Sequence, residues 1–266
     1  MINKKSLLRL YWFFSTQLGI DPVRFVRTII SLPVFIRNIV QFKKEFKGKL
    51  NLYPCLQDKH EESGSINSEY FWQDLIVAKW IFEANPIKHV DIGSRVDGFV
   101  AHVASFREIE VIDVRPIKST IPNITFKQGN MMDPAFLNKN NGLQFEYCDS
   151  LSCLHTIEHF GLGRYGDPID PTGYQKGIVN MASLIKNGGY FYLSTPIGIE
   201  RVEFNANWIF SPNNIINLVK SNGFILEKFN IYNNGNIREI NINDLSLDQL
   251  SRENYNLAIF IFKKIN

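Results

Sequence analysis

The fold is decided by residues 89–113, which read HVDIGSRVDGFVAHVASFREIEVID. A short apolar strand containing Asp91 runs into a glycine-containing turn, and a helix then leads to a second apolar strand that ends in Asp113. In α/β proteins such a turn lets a ligand approach the backbone and a helix amino end, and the terminal carboxylate accepts hydrogen bonds from ribose hydroxyls. The stretch therefore predicts a nucleoside-type site at the carboxyl ends of the first strands of a sheet.

Strands and helices alternate after residue 88, which predicts an α/β fold. Strands are expected at 89–93, 109–113, 123–128, 147–152, 189–195, 224–231 and 256–263. Helices are expected at 69–84, 97–106, 133–138, 173–186 and 212–222. The last two strands are joined by the polar, asparagine-rich segment 233–254 without a clear crossover helix, so they should form an antiparallel edge hairpin. We expect a Rossmann-like, seven-stranded, mostly parallel sheet with an antiparallel last strand, plus an N-terminal helical extension.

Charge is spread unevenly along the 266 residues, whose formal net charge is +3. Residues 1–49 carry ten lysines and arginines against two acidic residues, a balance of +8, which leaves −5 for the remainder. This asymmetry indicates that the N-terminal segment has a different neighbour from the rest. We predict a basic amphipathic helical extension at 1–49, a linker at 50–67 and an α/β domain at 68–266.

The extension places apolar residues such as Phe25, Ile29 and Phe42 near helical spacing among its basic residues. Helices of this kind lie in the headgroup layer of anionic membranes. The same faces could instead cover the α/β domain or a partner chain, and the +8 balance favours the membrane. No apolar run is long enough to span a bilayer, and three cysteines without paired spacing are typical of a reduced, cytosolic protein. We expect a cytoplasmic protein that can attach peripherally to the inner face of the membrane.

Candidate ligand-binding residues follow four of the predicted strands, because open α/β sheets bind ligands beyond the carboxyl ends of their strands. The four groups are Asp91, Gly93, Ser94, Arg95, Asp97 and Gly98; Asp113, Val114 and Arg115; Gly129, Asn130 and Met131; and Asp149, His155, Glu158 and His159. The net acidic balance of this part of the chain argues against a nucleic-acid partner.

The run DSLSCLHTIEH, residues 149–159, resembles the post-strand-four signature of class I S-adenosylmethionine (SAM)-dependent methyltransferases. In many of these proteins an aspartate opens the strand and a Leu-Glu-His or Ile-Glu-His triplet follows it. The order of elements from 89 to 263 is similar to that superfamily as well. The strings VDIGSRVDGFVAHVASF, DSLSCLHTIEHFGLGRYGDPIDP and PIGIERVEFNANWIFSP resemble, more narrowly, a bacterial family of methyltransferase-like proteins associated with surface-polysaccharide biosynthesis.

The resemblance implies SAM as the cofactor of a methyltransferase. Asp91 and Gly93 match the motif that holds its amino-acid end, Asp113 matches the ribose-binding acid, and Asp149 matches the strand-four acid. The cofactor-binding residues implied in this way are Asp91, Gly93, Ser94, Arg95, Asp113, Val114, Asn130, Met131 and Asp149. Arg95 stands where the loop usually has its second glycine, so its side chain could crowd the cofactor or its guanidinium could pair with a carboxylate.

The segment His155-Thr-Ile-Glu158-His159 carries the expected catalytic residues. A histidine, His159 or His155, would take the proton of a hydroxyl acceptor, and Glu158 would orient it. The same letters spell the HxxEH pattern of zinc proteases, in which two imidazoles on one helix face grip a metal. We favour the methyltransferase interpretation and predict no metal, because the motif follows a sheet strand and glycines end the helix at once. A divalent ion beside the acceptor, or a histidine bonded only to backbone, remains open.

Two polar segments are candidates for binding the acceptor, expected to be a glycan or other hydroxylated small molecule. They supply Arg164, Tyr165 and Asp167 from the loop 161–171, and Arg201, Asn205 and Trp208 after the fifth strand. An indole face suits a sugar ring, although either segment also fits an ordinary surface loop. The resemblance implies a role in surface-polysaccharide biosynthesis. The alternatives are a non-catalytic SAM-fold binding or scaffold protein of a glycan-assembly complex, and a metal-dependent hydrolase.

Overall fold

The computed structural model describes residues 4–61, 66, 68–138, 143–233, 235–242 and 244–265. The predicted linker at 50–67 and the predicted excursion at 233–254 therefore fall partly outside the described residues, as do the side chains of Lys4, Lys5 and Arg9. Two compact units, Met1–Ser65 and Ile66–Asn266, make up the chain. The three-part division at 49 and 67 stays a prediction.

In the part of the first unit that the structure describes there are two α-helices, α1 (Lys4–Trp12) and α2 (Pro22–Glu45). The Asp21 carboxylate caps α2 by accepting hydrogen bonds from the backbone N–H groups of Val23 and Arg24. The chain after α2 returns to it, because the His60 ring lies 2.9 Å from the Ser31 hydroxyl. Among the described residues, no helix combines the length and apolar character needed to cross a bilayer.

The second unit is built around one sheet of eight strands, in the order β3-β2-β1-β4-β5-β10-β8-β9. The strands of the unit are β1 (His89–Ile92), β2 (Ile109–Asp113), β3 (Ile124–Gln128), β4 (Cys148–Leu154), β5 (Ile185–Ile197), β6 (Arg201–Glu203), β7 (Asn207–Ile209), β8 (Phe224–Asn233), β9 (Asn236–Glu239) and β10 (Asn256–Lys264). Strands β1 to β5 pair in parallel, and β10, β8 and β9 pair antiparallel. The Rossmann-like, mostly parallel sheet is confirmed.

The sheet has one strand more than the seven predicted, and the addition is β9. It comes from the segment expected to be an irregular excursion, and it pairs Ile237 with Tyr232 of β8. An edge strand needs few apolar residues, so its polar composition conceals it. The strands β6 and β7 form a separate two-stranded hairpin.

The helices of the second unit are α3 (Glu69–Ala84), α4 (Ala101–Ala104), α5 (Gly173–Leu184), α6 (Pro212–Lys220) and α7 (Asp244–Arg252). The predicted helix at 97–106 is a helical turn at Val96–Val100, with a non-helical Gly98, continued by α4. The predicted helix at 133–138 is a single turn, Pro134–Phe136. Helix α7 was not predicted, and its Leu247 and Leu250 are buried.

Apolar layers cover both faces of the sheet and thereby hold the strand ends in place. On one face α3 packs through Val77 and Ile81 against Phe99 and the strands, while α5 and α6 cover the other face. The Ser68 hydroxyl caps α3 by accepting a hydrogen bond from the Tyr70 N–H, and Asn85 ends the helix in a left-handed conformation. Helix α3 thereby lies against the Val96–Val100 turn, α4 and β8, and its Gln73 accepts a hydrogen bond from the Ser194 hydroxyl of β5.

Candidate active site

A cavity of about 560 Å³ lies at the carboxyl ends of β1, β2, β3 and β4. This volume is within the range of about 300–1,000 Å³ typical of small-molecule sites. The predicted site residues that line it are Gly93, Ser94, Arg95, Asp113, Val114, Asn130, Met131, His155, His159, Arg164, Tyr165 and Asp167. Residues separated in sequence thus meet where the parallel strands end.

The turn after β1 is shaped by a buried carboxylate. Asp91 accepts hydrogen bonds from the Ser94 hydroxyl at 2.7 Å, the Ser152 hydroxyl at 2.5 Å and the Ser94 backbone N–H at 3.0 Å. Burial raises the pKa of Asp91 to about 7. Gly93 has a φ of +72°, and a Cβ there would lie 2.4 Å from the Thr156 methyl carbon. Asp91 therefore holds the turn from its buried side, and the lack of a side chain at Gly93 makes room for Thr156.

Arg95 pairs with a carboxylate of its own loop. Its Nε lies 3.0 Å from Asp97 Oδ1 and its Nη2 lies 2.6 Å from Oδ2. The Arg95 hydrogen bonds lower the pKa of Asp97. Sequence analysis expected the Arg95 side chain either to crowd the cofactor or to pair with a carboxylate. The structure shows a pair with the Asp97 carboxylate.

Asp113 is covered by a guanidinium. Arg115 donates from Nη2 to Oδ2 at 2.6 Å, from Nε to Oδ1 at 3.1 Å and from its backbone N–H to Oδ1 at 2.8 Å. The same Nη2 lies 3.4 Å from the Gly93 carbonyl oxygen, and the guanidinium carbon lies 4.4 Å from the Tyr165 ring centroid. Arg115 therefore extends from the end of β2 across the cavity.

The residues that follow β3, Gly129, Asn130 and Met131, form one wall of the cavity. The Asn130 side-chain oxygen accepts a hydrogen bond from the Met132 N–H at 2.9 Å, which fixes the turn. Met131 is buried, and its carbonyl oxygen accepts a hydrogen bond from Asn180 at 2.8 Å. This wall therefore presents an apolar side chain beside an amide that the turn already uses.

His155 is the centre of a buried ion cluster. Its Nδ1 lies 2.7 Å from Glu158 Oε1, and its Nε2 lies 3.4 Å from Glu69 Oε1, which also accepts a hydrogen bond from the Tyr255 hydroxyl. The Tyr70 ring packs against the imidazole at 4.5 Å. Burial lowers the pKa of His155, but the hydrogen bonds and charges of the two carboxylates prevail and raise it to about 9. His155 is therefore positively charged at neutral pH and is unsuited to accept a proton.

His159 has the opposite character. Its Nδ1 lies 2.8 Å from the Ala206 carbonyl oxygen, which also accepts a hydrogen bond from Arg164 at 2.9 Å. A carbonyl only accepts, so Nδ1 carries the hydrogen and the lone pair is on Nε2, 4.0 Å from Glu158 Oε1. Burial, assisted by the Arg164 charge, lowers the pKa of His159. The ring is thus neutral at pH 7 and offers a basic nitrogen in the cavity.

The helix that a two-histidine metal site requires does not form. Ile157–His159 is a single tight turn, and His155 has a φ of +50°. The two imidazoles therefore lack the shared helix face, and Glu158 is bonded to one of them. Over the described ranges, no group of three or more His, Cys, Asp or Glu side chains has the arrangement of a metal site.

The loop after this turn presents Tyr165 to the cavity. The ring lies between the guanidinium carbons of Arg115 and Arg164, at 4.4 Å and 5.3 Å, and contacts His159 edge-on. Asp167 accepts hydrogen bonds from the backbone N–H groups of the loop, including that of Tyr165 at 3.1 Å. Asp167 therefore organises the loop, and Arg164 and Tyr165 present its side-chain chemistry.

Seven of the residues that sequence analysis proposed for the site do not line the cavity. They are Asp91, which is fully buried, and Gly98, Asp149, Glu158, Arg201, Asn205 and Trp208. Asp149 lies at the opposite end of β4, where it accepts hydrogen bonds from the backbone N–H groups of Ile87 and Lys88 at 2.7 Å, so its predicted cofactor contact is wrong. A residue that opens a parallel strand is separated from the ligand by the length of that strand.

The predicted acceptor segment after β5 forms the β6–β7 hairpin. Arg201 bonds Glu203 and the Asn254 carbonyl oxygen, and Trp208 packs against Tyr174 at 5.1 Å. Neither side chain faces the cavity, since both are used within the fold. The hairpin contributes instead through its backbone, by the Ala206 carbonyl that fixes His159.

Helix α3 supplies cavity residues that sequence analysis missed. Tyr70, Gln73 and Asp74 line the cavity, and Glu69 belongs to the His155 cluster. The sequence signal that could have revealed them is a pair of polar residues, Gln73 and Asp74, on the apolar face of the helix. No spacing rule connects a helix before β1 with the strand ends.

Two solved structures are similar to this chain at the level of the fold. The N-methyltransferase NodS from Bradyrhizobium japonicum WM9, crystallised with S-adenosylhomocysteine, has a TM-score of 0.50 and 12% identity, covering 77% of this chain and 90% of NodS. A putative sarcosine dimethylglycine methyltransferase from Galdieria sulphuraria has a TM-score of 0.50 and 11% identity, covering 72% and 86%. The chain has the fold of class I SAM-dependent methyltransferases.

Comparison with curated protein sequences finds no match to this chain. One family profile matches residues 101–265, which is more than half of the chain. Its description names Caenorhabditis, so it is not the bacterial polysaccharide family that the sequence strings led us to expect. The chain belongs to the family described as "Caenorhabditis protein of unknown function, DUF268".

Proposed function

We propose that this protein is a SAM-dependent methyltransferase that acts on a hydroxylated small molecule or glycan. One observation carries the proposal. Asp113 and His159, whose Nε2 is the basic nitrogen, line the same cavity, and the Gly93 turn lines it as well. The first suits a ribose and the second suits an acceptor hydroxyl.

The residues of the cavity fit the cofactor. Asp113 would hold the ribose, Asn130 and Met131 would border the adenine, and the turn at Gly93 would lie beside the amino-acid end. SAM supplies, when bound, a methyl group on a positively charged sulfur. The protein must align the acceptor oxygen with that carbon and exclude water.

The proton of the acceptor hydroxyl would pass to Nε2 of His159 as the new carbon–oxygen bond forms. The bond between the methyl carbon and the sulfur would break in the same step, so that the sulfur leaves as a neutral thioether. The Ala206 carbonyl keeps the hydrogen on Nδ1, and Glu158, 4.0 Å from Nε2, would stabilise the positive charge that the ring acquires. Positioned bases of this kind contribute about 10²- to 10⁴-fold to rate. His155 would act as a positioning residue, because its two carboxylate partners keep it protonated.

The test uses labelled SAM and a panel of nucleotide sugars (UDP-glucose, UDP-galactose, UDP-N-acetylglucosamine and GDP-mannose), with S-adenosylhomocysteine binding measured by calorimetry. His159→Asn preserves the donor to Ala206 and removes the base, so turnover should fall about 10²- to 10⁴-fold with unchanged cofactor affinity. The control His102→Asn alters a histidine whose Nδ1 also lies 2.7 Å from a backbone carbonyl. Full turnover in His159→Asn would reject the base, and no cofactor binding by the unaltered protein would reject the function.

A scaffold protein that binds a glycan precursor without methylating it is the second candidate. The observation that favours it is the Arg115 guanidinium on Asp113, which occupies the proposed ribose acid. Such a protein would bind neither SAM nor S-adenosylhomocysteine in the same calorimetric experiment.

The first unit supports a further part of the proposal, a peripheral contact with an anionic membrane. In α2, Phe25, Ile29 and Ile30 are 67%, 56% and 61% exposed, and Arg24 and Arg27 lie among them. Apolar side chains of this size gain roughly 1.5–3 kcal/mol each on leaving water, and basic neighbours favour anionic lipid.

Cosedimentation with phosphatidylcholine vesicles, with and without phosphatidylglycerol, tests this contact. We expect binding only to the anionic vesicles, reduced by salt and by the double change Phe25→Ala and Ile29→Ala. Phe145→Ala, at an exposed phenylalanine of the second unit, is the control. Equal sedimentation with both vesicle types, or none, would reject the contact.

A further inference from the structure

Most acidic side chains that line the cavity already have partners within the protein. Asp97 is bonded by Arg95, and Asp113 by Arg115. Asp167 accepts hydrogen bonds from three backbone N–H groups of its own loop. Among the described residues, none of these three offers an unused carboxylate to a cationic ligand.

Asp91, the residue that the sequence assigned to the amino-acid end of the cofactor, is also engaged. Its two oxygens accept three hydrogen bonds, from Ser94 and Ser152, and it is fully buried. It does not line the cavity. This carboxylate is therefore not available to a ligand at the turn. The backbone N–H groups of Gly93 and Ser94 are used as well, since they donate to the Ile112 carbonyl oxygen and to Asp91.

Asp74 lines the cavity from α3 and has no basic side chain bonded to it in the described part of the chain. It is only 6% exposed, and its Oδ1 accepts a hydrogen bond from the Gln73 amide at 3.0 Å. Its Oδ2 lies 2.6 Å from the position that a Cβ on Gly98 would occupy, so the carboxylate lies directly against the 93–98 loop. Burial raises the pKa of Asp74, and the Gln73 hydrogen bond and the charges of His102 and His155 only partly offset this effect.

We infer that Asp74 binds the α-ammonium group of the cofactor's amino-acid end, in the place that the sequence assigned to Asp91. The inference rests on the proposed function, since it concerns how that site holds SAM. An ammonium group would offset the cost of the buried charge and form charge-assisted hydrogen bonds. Asp74 lines the cavity beside the loop that follows β1, which is where the amino-acid end would lie.

A purely structural role for Asp74 makes a different prediction. The carboxylate also interacts with the Phe99 backbone N–H, and so helps to hold the helical turn at Val96–Val100. If that were its whole role, its loss would weaken every ligand of the loop alike, or none. The two roles are separated by ligands that differ only in the amino-acid part.

The experiment measures calorimetric binding of S-adenosylhomocysteine and of 5′-methylthioadenosine, which retains the adenosine and thioether but lacks the amino acid. In Asp74→Asn we expect affinity for S-adenosylhomocysteine to fall about 10- to 100-fold and affinity for methylthioadenosine to stay unchanged. Glu83→Gln, an exposed carboxylate of the same helix, is the control. An equal loss for both ligands, or no loss, would overturn the inference.

A second measurement covers the case in which Asp74→Asn fails to fold. The unaltered protein is titrated with S-adenosylhomocysteine and with its desamino analogue, and the analogue should bind about 10- to 100-fold more weakly. Equal affinity would overturn the inference. If the unaltered protein bound S-adenosylhomocysteine but Asp74→Asn showed no selective loss, only the assignment of Asp74 would fail. Absence of any binding would instead overturn the proposed function.

Discussion

The Arg115 guanidinium lies across the Asp113 carboxylate, with Nη2 2.6 Å from Oδ2 and Nε 3.1 Å from Oδ1. Oδ1 accepts a further hydrogen bond from the Arg115 backbone, so both oxygens are occupied. Ribose hydroxyls that approach Asp113 must therefore share or displace this ion pair. The residue that marks the nucleoside site in the sequence is thus bonded, in the structure, to a residue two positions later.

Removal of the guanidinium should free the carboxylate. Arg115→Ala is expected to bind S-adenosylhomocysteine about 1.4- to fivefold more tightly, because a partly exposed ion pair of this kind is worth about 0.2–1 kcal/mol. Calorimetry gives the affinity, and Asp113→Asn should weaken it in the same assay. Weaker binding by Arg115→Ala would mean that the guanidinium contacts the ligand instead of competing with it.

His155 should matter for stability. His155→Gln leaves Glu158 and Glu69 without their shared cation, and loss of one partner from a buried ion cluster costs roughly 3–5 kcal/mol. Urea unfolding followed by circular dichroism measures the change. His102→Gln, at an exposed position, should change the free energy of unfolding by less than about 0.5 kcal/mol. A His155→Gln protein as stable as the original would show that the cluster is not charged.

The unfolding free energy should fall as pH rises from 6.5 to 9. The folded-state pKa of His155, about 9, lies above its ordinary value of 6.5, so its contribution is complete below 6.5 and is lost as pH rises through 9. The shift corresponds to about 3 kcal/mol. Asp91 acts in the same direction at lower pH, because its pKa rises from 3.8 to about 7.

Urea titrations at a series of pH values would reveal this decline. His155→Gln should flatten the curve between pH 6.5 and 9 and leave the Asp91 contribution below pH 7 in place. An unaltered slope in that variant would contradict the assigned charge of His155.

Gly93 should tolerate no side chain. Gly93→Ala places a Cβ 2.4 Å from the Thr156 methyl carbon at a φ of +72°, and overpacking of this kind costs about 1–3 kcal/mol beyond the backbone strain. Gly188→Ala isolates that strain, because Gly188 has a φ of +79° with nothing within 4 Å of a Cβ. Thermal unfolding should rank Gly93→Ala as the less stable variant, partly rescued by Thr156→Ser. Equal loss in both alanine variants would argue against the steric contact.

Much of the sheet was predictable because its signals are local. A buried strand, a turn and a helix recur from 89 onward, and parallel strands place their carboxyl ends together whatever lies between them. That rule alone predicted that four residues would meet at one edge of the sheet, and they line the cavity: Gly93, Asp113, Asn130 and His159. The same reasoning failed for β9 and α7, because pairing at a sheet edge and two buried leucines leave only a weak pattern in a polar segment.

Local patterns in the amino-acid sequence were enough to predict β1 to β5, β8 and β10 and the loops after β1 to β4 that line the cavity, since these depend on neighbouring residues and on the handedness of the connections. The chemical state of each side chain was settled by folding. The carboxylates of Glu158 and Glu69 raise the pKa of His155, the Ala206 carbonyl sets the tautomer of His159, and α3 brings Asp74 to the cavity. Hydrogen-bond partners and burial set a pKa, and both come from residues that are distant in the chain and adjacent only after folding.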